Sequence, residues 1–155
     1  MVNFTDALNT KMGDIERPPL LPVGTYVGIV SKIPAIEKIG DGKWDVIDFQ
    51  LRIASAGEDV SQDDLKEFGG LNASTVVRHR FMFSTEDEAA QKRTLFNLKR
   101  FLTEHLKVDG GDGSAVKELL NNCLNHQCTV FIGWRPDKND PELFYAEVKK
   151  TAAVE

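Results

Sequence analysis

The sequence has few cysteines, few histidines and no long apolar run. Its 155 residues hold two Cys, three His, two Trp and two Tyr, and carry a net charge of −5. Cys123 and Cys128 lie too close together to staple a fold, and in an unexported chain they read as reduced thiols. No apolar stretch approaches the roughly 18 residues of a membrane span, so no membrane partner is expected. The opening "MVNFTDALNTKMGDIE" lacks the basic start and apolar core of a signal peptide. A cytoplasmic protein is therefore expected. The acidic balance argues against a nucleic-acid partner, whose backbone is attracted to basic surfaces.

The charge is unevenly divided. Residues 54–73 hold five acids against Lys66, a sum of −4, whereas residues 74–106 hold six Lys or Arg against four acids, a sum of +2. One face of an acidic protein can thus be basic, although a charge run alone reads first as a solvated face.

The hydrophobic pattern predicts a mainly β chain. Residues 1–23 read as an N-terminal arm, with a short helix near Thr5–Met12 broken by Pro18, Pro19 and Pro22. Residues 24–150 read as one domain, and 151–155 as a short tail. "GTYVGIVSKI" is the first expected strand, with Val27, Ile29 and Ile33 inward and Tyr26, Gly28, Val30 and Lys32 outward. The loop 34–43 ends in "GDGK", a hairpin turn into "KWDVIDFQLRI". There Ile47, Phe49, Leu51 and Ile53 form a core face, leaving Trp44, Val46, Asp48, Gln50 and Arg52 outside. After a polar excursion with a helical turn at Ser61–Phe68, "TVVRHRFMF" is the third strand, with Arg78 and Arg80 outward. Thr85 with Glu88 fits a capping box for the clearest helix, whose Leu95, Leu98, Phe101, Leu102 and Leu106 recur at helical spacing. A shorter helix starts at Ser114. "QCTVFIGWR" and "LFYAEVKK" close the chain as two strands, with Val130, Ile132, Phe144, Ala146 and Val148 inward.

Five strands with a helix between the third and fourth is the order of the OB-fold, a Greek-key barrel. Its ligands, single-stranded nucleic acids or oligosaccharides, lie across strands two and three between two loops, here 34–43 and 135–141. Single-strand binders pair stacking aromatics with cations along the backbone. Trp44, Tyr26 and Trp134 are the candidate stackers, and Lys32, Arg52, Arg78, Arg80 and Arg135 the candidate phosphate contacts. Each also has a structural reading. Exposed strand aromatics often serve cross-strand packing, and an acidic neighbour would turn Arg78 and Arg80 into a structural pair.

"LLPVGTYVGIVSKI", "VIDFQLRI", "RHRFMF", "LFNLKRFL" and "CTVFIG…FYAEVKK" together resemble a family of small bacteriophage proteins associated with single-stranded DNA binding, found near replication and recombination genes. The resemblance spans about residues 20–150 and implies an OB-fold, a single-stranded DNA partner, a host-cell cytoplasmic location and contacts with replication or recombination proteins. The chain departs from many single-strand binders in ending "KKTAAVE" rather than in an acidic, partner-recruiting tail.

Two other chemistries have partial motifs in the sequence. Pro136-Asp137 with Glu147-Val148-Lys149 has the form of a metal-dependent nuclease motif, but Asp137 sits in an evident turn and few residues follow the lysine. Cys123, His126 and Cys128 offer three zinc donors without a second pair. The expectation is a binding protein, not an enzyme, with no cofactor or metal. The serious rival is a protein-interaction module of the same fold, and the oligomeric state, a homo-oligomer included, is left open.

Overall fold

A computed structural model describes residues 3–15 and 18–155. It contains six strands: β1 (Gly24–Val30), β2 (Ala35–Ile39), β3 (Trp44–Ala56), β4 (Val76–Ser84), β5 (Gln127–Pro136) and β6 (Phe144–Ala152). The main helices are α1 (Phe4–Leu8), α2 (Gln62–Phe68), α3 (Glu88–Arg100) and α4 (Val116–Asn122). All ladders are antiparallel, and the sheet follows the path β2-β3-β1-β5-β6 with β4 paired to β3.

The length of β3 organises the sheet. It pairs with β4 along Trp44–Arg52, with β2 along Trp44–Asp48 and with β1 from Leu51 to Ala56. A strand has two hydrogen-bonding edges, so β2 and β1 follow one another along one edge while β4 takes the other. The hairpin into β3 turns through Gly40, Asp41 and Gly42, all with positive φ (61°, 57° and 83°), which Gly and Asp tolerate best.

β2 forms within residues 34–43, where the sequence predicts a loop. The expected five-stranded closed barrel is here a six-stranded antiparallel sheet. β4 and β6 approach one another but, among the described residues, share no ladder.

The inner faces meet α3. Phe49, Leu51 and Ile53 of β3, Cys128, Val130 and Ile132 of β5 and Leu98 of α3 are buried together with Phe101 and Leu102, in the π-helical turn that extends α3. The Phe49 and Phe101 rings meet edge-on with centroids 4.9 Å apart. Burying each such side chain contributes about 1.5–3 kcal/mol.

The cap of α3 differs from the expected Thr85–Glu88 box. Asp87 is the N-cap and accepts from the Ala90 N–H at 3.1 Å. The Thr85 hydroxyl instead donates to the Gly42 carbonyl at 3.0 Å, tying the start of the helix to the β2–β3 turn. Ser61 does cap α2, which ends at Gly69 in the left-handed region as its glycine implies.

The phase of β1 is the main correction. Tyr26, Gly28 and Val30 point inward, and Val27 and Ile29 are half-buried on the opposite face. Both phases of this strand carry apolar residues, so alternation does not choose between them. Pairing opposite the buried Cys128 and Val130 does. The expected boundaries also shift. Leu21 and Pro22 of the arm are buried, and β6 continues through Thr151 and Ala152 of the expected tail. Residues 1, 2, 16 and 17 of the arm lie outside the described residues.

Candidate nucleic-acid interface

The outer face of β3 and β4 follows directly from their register. Trp44 lies opposite Ser84, Val46 opposite Met82, Asp48 opposite Arg80, Gln50 opposite Arg78 and Arg52 opposite Val76. A period of two puts these ten side chains on one side, away from Phe49, Leu51 and Phe81.

Asp48 lies at the centre. Its side chain is 8% exposed, and one carboxylate oxygen faces Arg78 Nη1 at 3.5 Å and Arg80 Nε at 3.6 Å. The other oxygen has no hydrogen-bond partner. The two arginines remain about half exposed. The acidic excursion at 58–67 was one candidate for the neighbour that would make this pair structural. The actual one is a single carboxylate on the adjacent strand, at distances longer than a well-made charge-assisted hydrogen bond.

The remaining candidates divide. Trp44 is 37% exposed at the start of β3, and its indole packs over the Gly40 turn, where a Cβ would meet Cδ1 at 3.3 Å. Arg52 is half-buried on the same face, and Lys32 lies exposed just beyond β1 rather than within it. Neither is in an ion pair among the described residues. These residues and the Arg78–Arg80 pair are the part of the expected set that the sheet gathers.

Tyr26, Trp134 and Arg135 are held elsewhere. Tyr26 is 1% exposed, and its hydroxyl donates to the Pro22 carbonyl at 2.6 Å. Burial, reinforced by the charge of Asp59, pushes its pKa up to about 12. It is a core residue, not a stacking platform. Trp134 Nε1 donates to the Leu21 carbonyl at 2.9 Å, pinning the arm to β5. Arg135 pairs with Glu147 at 2.9 Å and lies over the Tyr145 ring.

The other motifs are likewise engaged. Asp137 accepts from the Asn139 N–H at 2.8 Å and from the Tyr145 hydroxyl at 3.0 Å, and these bonds lower its pKa. Glu147 pairs with both Arg135 and Lys149. Cys123 and Cys128 are buried free thiols, with pKa pushed up by desolvation to about 11 and about 12. His126 is bound through Nδ1 to the Leu106 carbonyl at 2.9 Å.

His79 shares the inner face of β4 with Val77, Phe81 and Phe83, the face the sequence alternation gives it, and is half-buried there. His79 lies inward among Phe81 and Phe101, with ring centroids 4.7 and 4.9 Å away. Burial, with a smaller contribution from His105, lowers its pKa to about 4.

No family model and no curated protein matches the chain. Among solved structures it is similar to "Yeast RPA bound to ssDNA", at 12% identity over 100% of this chain and 88% of that one, with a TM-score of 0.32. At that level of likeness neither fold nor function transfers. The class defined by the molecule itself is a mainly β protein with a six-stranded antiparallel sheet and a helix packed on its inner face. No helix among the described residues is long and apolar enough to cross a membrane.

Proposed function

We propose that this protein binds single-stranded DNA without sequence preference, on the outer face of β3 and β4, and that it does so without catalysis. The observation that carries the reading is the Arg78–Asp48–Arg80 cluster. Two half-exposed guanidiniums share one oxygen of one buried carboxylate at long range, beside an exposed tryptophan and an exposed methionine. Phosphates can take over the guanidiniums, and bases can lie on Trp44 and Met82. Arg52 and Lys32 extend the cationic line.

The strand connections support an OB-type ancestry for this sheet. β1 pairs with β3 and β5, β3 with β4, and β5 with β6, with α3 between β4 and β5. In that scheme β2 is an elaboration of the first loop, and the β4–β6 seam is where a closed barrel would join. A role in phage replication or recombination, with partner proteins of those processes, rests on the motif resemblance.

The second reading, a protein-interaction module, is favoured by the exposed Phe4, Leu8, Met12 and Ile15 of the arm. Titration of tryptophan fluorescence with oligothymidylate separates the two. DNA binding predicts quenching that a Trp44→Phe variant loses in large part and that weakens steeply with salt. Unquenched fluorescence at low salt rejects it.

A further inference from the structure

The charge around the proposed face is lopsided. Towards the β5–β6 turn, where the loop 135–141 was expected to clamp, Arg135 is neutralised by Glu147. Asp137, Asp140 and Glu142 there outnumber Lys138. Towards α3 the balance reverses. Arg80 lines a cleft along the free edge of β4 together with Asn97 and Arg100 of α3 and Lys149 of β6.

Beyond that cleft, α3 presents an unusual group. Phe96 is 59% exposed. Lys92, Arg93, Lys99 and Arg100 stand at the i−4, i−3, i+3 and i+4 positions around it, all exposed. Residues at that spacing are neighbours on a helix surface. Lys92 and Arg100 have surface partners, Glu88 at 3.5 Å and Glu104 at 3.0 Å, pairs worth little in water. Arg93 and Lys99 are in no ion pair among the described residues. The core is supplied by Leu98, Phe101 and Leu102, so Phe96 is not needed for packing. With Lys92 and Arg100 offset by Glu88 and Glu104, the charges of Arg93 and Lys99 remain uncompensated beside Phe96, and an anionic ligand can answer them.

We infer that the polynucleotide leaves the sheet over the β4 edge, crosses the Arg80–Arg100 cleft and continues along α3, where Phe96 stacks on a base and Arg93 and Lys99 hold phosphates. This rests on the proposed reading of the β3–β4 face and gives the strand its direction. The occupant is a polynucleotide because flat aromatic surface alternates with cations, and because the patch is continuous with Arg80 through the cleft that Arg80 and Arg100 both line.

The test is fluorescence anisotropy with labelled oligothymidylates of about 4 and about 16 nucleotides, the two ends of the range such folds cover. The variants are Phe96→Ala and Arg93→Ala/Lys99→Ala, all at exposed positions, with folding checked by thermal melting. Phe96→Ala is expected to weaken the long oligomer about five- to hundredfold and to leave the short one unchanged. The Arg93→Ala/Lys99→Ala variant should reduce the salt slope for the long oligomer by about 1.4. Wild-type affinity and slope for the long oligomer in both variants overturn the inference. So does a polyglutamate peptide whose binding needs Phe96 while the long oligomer is unaffected, since the patch then serves a protein. If Arg78→Ala/Arg80→Ala abolishes short-oligomer binding and the α3 variants change nothing, only the α3 path falls. If wild type binds neither oligomer, the β3–β4 reading falls with it.

Discussion

Asp48 lies directly opposite Arg80 in the β3–β4 ladder, its carboxylate 3.6 Å from the guanidinium Nε. The same oxygen reaches Arg78, two residues along β4, at 3.5 Å. On the proposed reading, this buried acid stands where a phosphate would bind and competes with it for both arginines.

Removing that competitor should strengthen DNA binding. A phosphate about 6 Å from the carboxylate is repelled by about 0.7–1.4 kcal/mol at an effective dielectric of about 40–80. Asp48→Asn is expected to raise oligothymidylate affinity about three- to tenfold at low salt. The stability change should stay within about 1 kcal/mol, because the two arginines are solvated and the acid already has an unpartnered oxygen. Anisotropy and urea melts measure the two quantities, and weaker binding would show that Asp48 orients the arginines rather than masking them.

Removing the cations should act through phosphate contacts. Arg78→Ala/Arg80→Ala is expected to weaken binding of all sequences alike and to flatten the salt dependence by about 1.4, at about 0.7 per contact on single strands. Binding isotherms at several salt concentrations give the slope directly.

Tyr26 separates core from interface. Its hydroxyl bond to the buried Pro22 carbonyl fastens the arm to β1. Tyr26→Phe should cost about 1–3 kcal/mol of stability by leaving that carbonyl without a donor. Oligothymidylate affinity, measured under folded conditions, should not change. A loss of affinity without a loss of stability would return Tyr26 to the interface.

His79 makes stability depend on pH. Its folded pKa is about 4, below the ordinary value of 6.5. Between these values the unfolded chain binds the proton and the folded chain does not, so stability falls as pH drops from about 6.5 towards about 4. The full effect is about 3 kcal/mol. Urea midpoints at pH 7 and pH 5 should differ in the wild type, and the difference should shrink in His79→Phe. An unchanged difference would assign it to other groups.

The sequence was most legible where one face was polar and the other apolar. The alternation in β3 gives its core face from Phe49 to Ile53, although Val46 and Asp48, expected outside, are buried too, and the Ser61 and Gly69 signals bound α2. β1 was misread because Tyr26, Gly28 and Val30 are as compatible with burial as Val27 and Ile29, and only the register with β5 decides. β2 escaped notice because Ala35–Ile39 is short, mostly exposed and stabilised by pairing with β3 rather than by its own pattern. At the candidate site, Arg78 and Arg80 were visible as a pair on one strand, but their partner Asp48 comes from the neighbouring strand through a cross-strand register. Trp134 was a candidate stacker that the N-terminal arm could equally cover, and it is tied to Leu21 of that arm, a contact 113 residues distant in the chain. The ring of cations around Phe96 was readable from i±3 and i±4 spacing alone. The apolar stripe of α3 drew attention instead.

On the proposed reading, the outer face of β3 and β4 holds unpaired DNA through Arg78, Arg80 and Trp44. The most direct measurement is a tryptophan-fluorescence titration of wild type and Arg78→Ala/Arg80→Ala with oligothymidylate and with duplex DNA, each at low and high salt. The single strand should quench the wild type, the duplex should quench it little, and the loss with salt should be steep in the wild type and shallower in the variant. Equal affinity of the two proteins, or no quenching at low salt, would contradict that reading.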